Sequence, residues 1–183
     1  MEERQLIEGC LRGESWAQKR IYELHAPAMM SVCQRYVPCR ETAQDLLHDG
    51  FIKLFSKINS YSGTGSFNGW MRKIFVTTAL DYLRHNDVLK NSVELEKVDA
   101  QEDVQDISVF ERLSIEVLFE CIANLPDANR TVFNMHAIEG YSHSEIAKEL
   151  GISESAAKSR YAKARQFLQK IVSLKFEVDS FTK

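Results

Sequence analysis

Residues 141–165, YSHSEIAKELGISESAAKSRYAKAR, leave this chain few choices, because they encode a helix, a tight turn and a second, cationic helix. Ser142 followed three residues later by Glu145 is a capping box, in which each side chain satisfies an otherwise unpaired amide at a helix start. The first helix is expected to run to Leu150. Gly151 supplies the left-handed backbone position that ends it, and Ser153 is placed to cap the second. Helical spacing turns Ile146, Ala147, Leu150 and Ile152 inward together with Ala157, Tyr161, Ala164 and Leu168. The small Ala147 permits a close helix crossing. Left outward are Lys158, Ser159, Arg160, Lys163 and Arg165. A cationic helix held out by a tight helical pair suits a DNA major groove, where it meets phosphates and acceptor atoms on base edges. The plain alternative is a surface hairpin with solvated Lys and Arg. Caps, turn glycine, small residue and one-sided charge agree, and together they favour DNA.

Charge makes that reading less simple. The net charge is −3, unusual for an unaided DNA binder, since neutralising phosphates supplies most non-specific affinity. From Asp87 to Arg112 there are eight acidic residues against three basic ones, whereas Ser153 to Lys170 holds one acid, Glu154, against five bases. A basic reading head on an acidic whole implies that something else helps to hold the DNA.

The remainder reads as helical, with no convincing strand alternation. Helices are expected at Glu2–Arg12, closed by Gly13, and at Ser15–His25, with Trp16, Ile21 and Leu24 inward and a stop before Pro27. A third carries Met29, Val32, Cys33, Tyr36 and Val37 and ends at Pro38. The clearest spans Glu41–Ile58, where Ala43, Leu46, Leu47, Phe51, Leu54, Phe55 and Ile58 fall at helical spacing. A polar turn, SYSGTGS, precedes a helix over Phe67–His85. Residues 87–107 lose the apolar period, turn acidic and read as a flexible linker. Helices resume at Ser108–Asn124 and from Pro126, a good first-turn residue, to Gly140. The expected fold class is all-α, two small helical domains joined by an acidic linker, with the helix-turn-helix in the C-terminal one. The boundaries are 1–87, 88–107, 108–175 and a tail, 176–183.

No apolar run approaches a membrane span, and MEERQLIEG is acidic rather than signal-like, so the chain reads as cytoplasmic, with no membrane insertion. Cys10, Cys33, Cys39 and Cys121 show no close-paired spacing. Cys33 and Cys39 near His25 and His48 are better read as buried free thiols on helices than as metal ligands, and the sequence calls for no cofactor. Opposite the apolar stripe of Glu41–Ile58 lie Asp45, His48, Asp49, Ile52 and Lys53. That is either a solvated face or one that docks on a partner bearing arginines around an apolar centre. In residues 61–85, aromatics interleave with Arg72, Lys73, Arg84 and His85, a mixture that can stack unpaired bases and follow a backbone. Phe67 and Trp70, spaced with Ile74, favour the core instead.

AQDLLHDGFIKLFSKI, then GSFNGWMRKIFVTTALDYLRH, then LP followed by the helix-turn-helix ending AAKSRYAKAR, resemble an extracytoplasmic-function (ECF) sigma factor of bacterial RNA polymerase, in the right order and with the right gap. The resemblance implies that the first domain, sigma region 2, binds core RNA polymerase and the promoter −10 element. It implies that the second, sigma region 4, reads the −35 element, and that the linker threads the polymerase. The polymerase would then supply the missing affinity. Carried over residue by residue, the clamp-binding helix offers Asp45, His48, Asp49 and Ile52. The −10 set is Tyr61, Ser62, Thr64, Ser66, Asn68, Arg72, Lys73, Thr77 and Arg84. The −35 set is Ser142, His143, Ser153, Ser155, Lys158, Ser159, Arg160, Lys163 and Arg165, with Arg160 and Arg165 as phosphate partners. Promoter DNA and core polymerase are the implied partners, and the family often adds an anti-sigma factor.

Four positions depart from the family pattern. Thr77 stands where asparagine is common, in the pocket for a flipped −10 base. Gly50 replaces a branched apolar residue inside the clamp helix, at up to about 1 kcal/mol of helix propensity. Ala156-Ala157 replaces Thr-Val at the start of the recognition helix. Two other classes fit the sequence less well. A DNA recombinase would need a catalytic serine among arginines on an α/β scaffold, and the N-terminal half has neither that scaffold nor an acid–base constellation. A free-standing helix-turn-helix regulator with a ligand or receiver domain fits the helical first half and acidic linker poorly.

Overall fold

A computed structural model describes residues 3–86 and 115–180, which divide into two units, Met1–His85 and Asn86–Lys183. No strand occurs among the described residues. The expected linker, 88–107, and the first residues of the helix expected from Ser108 lie outside them.

In the N-terminal unit, α1 (Glu3–Leu11) is followed by α2 (Ser15–Tyr36), α3 (Arg40–Ser56), a single 3-10 turn (Ile58–Ser60) and α4 (Phe67–His85). Two helices were expected between Ser15 and Pro38, and the structure has one. Pro27 sits inside α2. Its missing amide removes one backbone bond and its ring crowds the preceding turn. The buried stripe nevertheless keeps its period across it, from Ala17 and Ile21 to Met29, Val32, Cys33 and Tyr36, so packing on both sides holds the helix together. Trp16 and Leu24, expected inward, are each 48% exposed. Ala17 and Ile21 occupy the inward line, and the Trp16 ring lies over Gly9 instead.

Around α3 the core is aromatic. The Phe51 ring meets Tyr22 at 4.7 Å and Phe75 at 5.1 Å. Gly50 explains itself here, since a Cβ at that position would lie 2.3 Å from the Phe75 ring. The glycine that weakens α3 as an isolated helix lets α4 approach it.

In the C-terminal unit, α5 (Ile115–Ala123) precedes α6 (Asp127–Phe133), which opens into a π-turn, Asn134–Ile138; then come α7 (His143–Leu150) and α8 (Glu154–Ser180). The plain helix expected over Pro126–Gly140 is therefore two kinds of helix. Phe133 and Ile138, five residues apart, both pack against Cys121, Ile122, Leu125, Ala164 and Leu168, a spacing that an i→i+5 turn brings into line. Buried Arg130 ties the corner between α5 and α6, donating to the carbonyls of Ala123 (3.2 Å) and Leu125 (2.7 Å) and pairing with Asp127. The last helix continues past residue 175, where the tail was expected to begin, to Ser180.

Candidate nucleic-acid interface

The helix-turn-helix closes as its residues dictate. Ser142 N–H donates to Glu145 Oε2 at 2.8 Å while Glu145 N–H donates to Ser142 Oγ at 3.3 Å, the reciprocal pattern of a capping box. Gly151 has φ 64°, left-handed backbone that residues with a Cβ rarely adopt. Ser153 Oγ accepts from Ala156 N–H at 3.1 Å and so caps α8. Ile146, Ala147, Ala157, Ala164 and Leu168 are buried, while Leu150, Ile152 and Tyr161 are half-buried. Buried Asn129 donates from Nδ2 to the Arg160 carbonyl at 3.2 Å, fastening α6 to the backbone of α8.

With about 100° of rotation per residue, Ser155 and Ser159 lie on the outermost line of α8. Lys158 and Arg165 fall on one flank, Arg160 and Lys163 on the other. Ser155, Lys158 and Ser159 are exposed; Arg160, Lys163 and Arg165 are half-buried, with stems along the protein. Lys158 pairs with Glu154 at 2.7 Å, and the carboxyl of Glu154 is held below its ordinary range by that bond and charge. Sequence reading missed this pair, although the i,i+4 spacing is its signal. Ser142 and Ser153 are exposed, but their hydroxyl oxygens already accept cap bonds. His143, expected among the −35 contacts, is half-buried and stacked on His136.

In the N-terminal unit, Asp45, His48, Asp49 and Ile52 form one exposed face of α3, with Ile52 67% exposed. None of its three polar members forms an ion pair among the described residues. Lys53, expected on the same face, instead reaches Asp81 of α4 at 3.3 Å.

The loop between Ser60 and Ser66 is closed on itself. Tyr61 O–H donates to the Gly65 carbonyl at 2.9 Å, and the Ser62 and Thr64 hydroxyls lie 2.6 Å apart. The Tyr61 ring rests on Phe67 and Trp70, each at 5.3 Å. Phe67 is buried and Trp70 half-buried, so the loop has an aromatic floor. Gly69 N–H donates to Ser66 Oγ at 3.3 Å. Ser62, Thr64, Ser66, Asn68, Lys73, Thr77 and Arg84 are exposed, and Arg72 and Tyr61 are half-buried. Thr77, one turn after Lys73, donates its hydroxyl to the Lys73 carbonyl at 2.8 Å. Arg84 pairs with Asp81 at 2.6 Å, so one carboxylate serves both Arg84 and Lys53.

Family models match the chain twice: Sigma-70 region 2 over residues 21–88 and Sigma-70 region 4 over residues 115–168. The ECF RNA polymerase sigma-E factor of Haemophilus influenzae is 27% identical over 178 residues, covering 90% of this chain and 92% of the relative. This chain belongs to the ECF sigma factors. It is thus a transcription initiation factor that directs core RNA polymerase to promoters. The sigma-E factor of Escherichia coli K12 is 26% identical over 173 residues, covering 88% and 89% of the two chains. Two solved structures share the helical fold at a TM-score of 0.51. CnrH in complex with the cytosolic domain of CnrY is 19% identical, covering 94% of this chain and 97% of that one. The sigma factor RpoE in complex with the anti-sigma factor NepR, from Bartonella quintana, is 20% identical, covering 85% and 96%. No described helix is long and apolar enough to cross a membrane.

Proposed function

We propose a division of labour among the residues of this ECF sigma factor. Asp45, His48, Asp49 and Ile52 dock on core polymerase. Their support is the exposed isoleucine among carboxylates that have no ion partner in the described part of the chain, since an acidic ring around an apolar centre suits an arginine-bearing surface. The loop Ser60–Ser66, with Asn68, Arg72, Lys73, Thr77 and Arg84, reads the −10 element. A base that leaves the stack needs a close-fitting pocket with hydrogen bonds to its edge, and the closed, aromatic-floored loop presents such hydroxyls. Ser155, Lys158, Ser159 and Lys163 read base edges of the −35 element, with Arg160, Arg165 and the capped helix starts at Ser142 and Ser153 on phosphates. The domains run over 1–87 and 108–175, with 88–107 linking them. The factor works in the cytoplasm and carries out no catalytic step itself, bond formation belonging to the polymerase. By analogy with the RpoE–NepR complex, an anti-sigma factor holds it in reserve.

The observation that carries this reading is the outward cationic flanks of α8 in a chain whose net charge is −3, a reading head that needs a larger partner. In vitro transcription with sigma-free core polymerase on a genomic promoter library tests it. Specific initiation dependent on the added chain is expected. Failure of every promoter with core bound would remove the −10 and −35 roles, and failure to bind core would remove the α3 role.

A further inference from the structure

His143 begins α7, directly after the cap residue Ser142. Its ring lies nearly parallel to that of His136 in the π-turn, with centroids 4.2 Å apart and 19° between planes. Tyr161 of α8 meets both rings, edge-on to His136 at 4.5 Å and tilted to His143 at 5.5 Å. Phe133 stacks on Tyr161 at 5.9 Å. Four rings thus converge where the π-turn, α7 and the DNA-reading helix meet.

The nitrogens restrict the protonation that this packing accepts. His136 Nδ1 lies 2.7 Å from the Tyr141 carbonyl oxygen. A carbonyl only accepts, so this nitrogen carries the proton. His143 Nδ1 is buried with no hydrogen-bond partner. A proton placed there would be an unsatisfied donor, and it would charge a half-buried ring. The groups facing His143 are His136 from the π-turn, the Tyr161 hydroxyl-bearing ring, and Lys158 and Glu154 of α8, which pair with each other. On α7 itself, Glu145 is engaged with Ser142. Burial first, then His136 and Lys158, lower the proton affinity of His143, and Glu154 opposes them.

We propose that the His136–His143 stack positions the DNA-reading helix and does so only with His143 neutral, so that a proton on His143 parts the rings, frees Tyr161 and loosens the hold of α8 on a −35 element. The inference rests on the reading of α8 given above. The sign follows from linkage. The folded His143 binds a proton less readily than the unfolded one, whose ordinary value is 6.5. The stabilisation is therefore complete above pH 6.5 and is lost as pH falls through the lower folded value. Each pK unit of that difference corresponds to about a tenfold change in equilibrium.

The test uses the full chain with core polymerase and a promoter recovered by the transcription assay, with its −35 element intact or scrambled. The ratio of the two affinities is measured at pH 7.5 and 5.5. For the wild type it is expected to fall severalfold. For His143→Phe, which keeps a ring but cannot take a proton, it should stay level whatever its starting value. A parallel decline in both proteins would overturn the proposal. Absence of −35 discrimination by either protein at pH 7.5 would count against the reading of α8. The joint itself is then judged without DNA, by proton NMR of the wild-type chain, a measurement that also serves if the variant does not fold. Tyr161 ring resonances moving with the His143 midpoint support it, and a Tyr161 that stays still as His143 titrates overturns it.

Discussion

Gly50 and Arg130 show how differently one residue can be judged alone and in place. Alanine is the better helix former by up to about 1 kcal/mol, so Gly50→Ala looks favourable from sequence. Its new methyl would meet the Phe75 ring, and overpacking of that kind costs about 1–3 kcal/mol. We expect a net loss of up to about 2 kcal/mol, read by urea unfolding through tryptophan fluorescence. Both tryptophans, Trp16 and Trp70, lie in the N-terminal unit, so the signal reports that unit alone. A gain in stability would show that α4 can move away from α3. Arg130→Ala would strand the carbonyls of Ala123 and Leu125 and leave a cavity, a loss of about 3 kcal/mol or more. Hydrogen exchange should accelerate across α5 and α6 and stay unchanged in α1–α4. The thiols follow the same logic of place. Burial pushes Cys33 up to about 12, and Cys10 and Cys121 are also buried, whereas Cys39, expected to be a buried helix thiol, stands just before α3 and is exposed. A thiol reagent should therefore modify Cys39 alone in the native chain, as counted by mass spectrometry.

At the scale of the element, α8 is the part whose chemistry was most legible, because its charge lies on the face its apolar residues leave free. Replacing Lys158 or Lys163 by Ala should cost roughly 1–3 kcal/mol at particular base pairs. Replacing Arg165 should weaken all promoters alike and reduce the salt slope by about one. Equal shifts at every promoter for all three variants would erase the distinction between base and phosphate roles. The Lys158–Glu154 pair adds a condition, since DNA must compete with Glu154 for the lysine. The continuous α2 was not legible. Proline is a strong local stop signal, and only the shared packing surface on both sides of Pro27 overrides it.

For the whole molecule, the balance of charge decides what the chain does unaided. At −3 overall, it should bind duplex promoter DNA weakly by itself and specifically only with core polymerase. Footprinting at physiological salt with and without core measures this, and tight specific protection by the chain alone would contradict it.

Sequence alone determined the features that neighbours along the chain decide. The capping box, the Gly151 turn, the inward stripes of α3, α7 and α8 and the polar loop before α4 all depend on residues within a few positions of each other, so their physics is complete in a short window. The order of those segments was enough to name the family. The tertiary structure decided what distant residues do to one another. Phe75 makes Gly50 necessary, Asp81 draws Lys53 away from the α3 face, Asn129 holds the backbone at Arg160, and His136 and Tyr161 draw His143 into a ring stack. These are pairings between elements, set by how helices cross, and a one-dimensional pattern carries the faces that meet but not which side chain meets which.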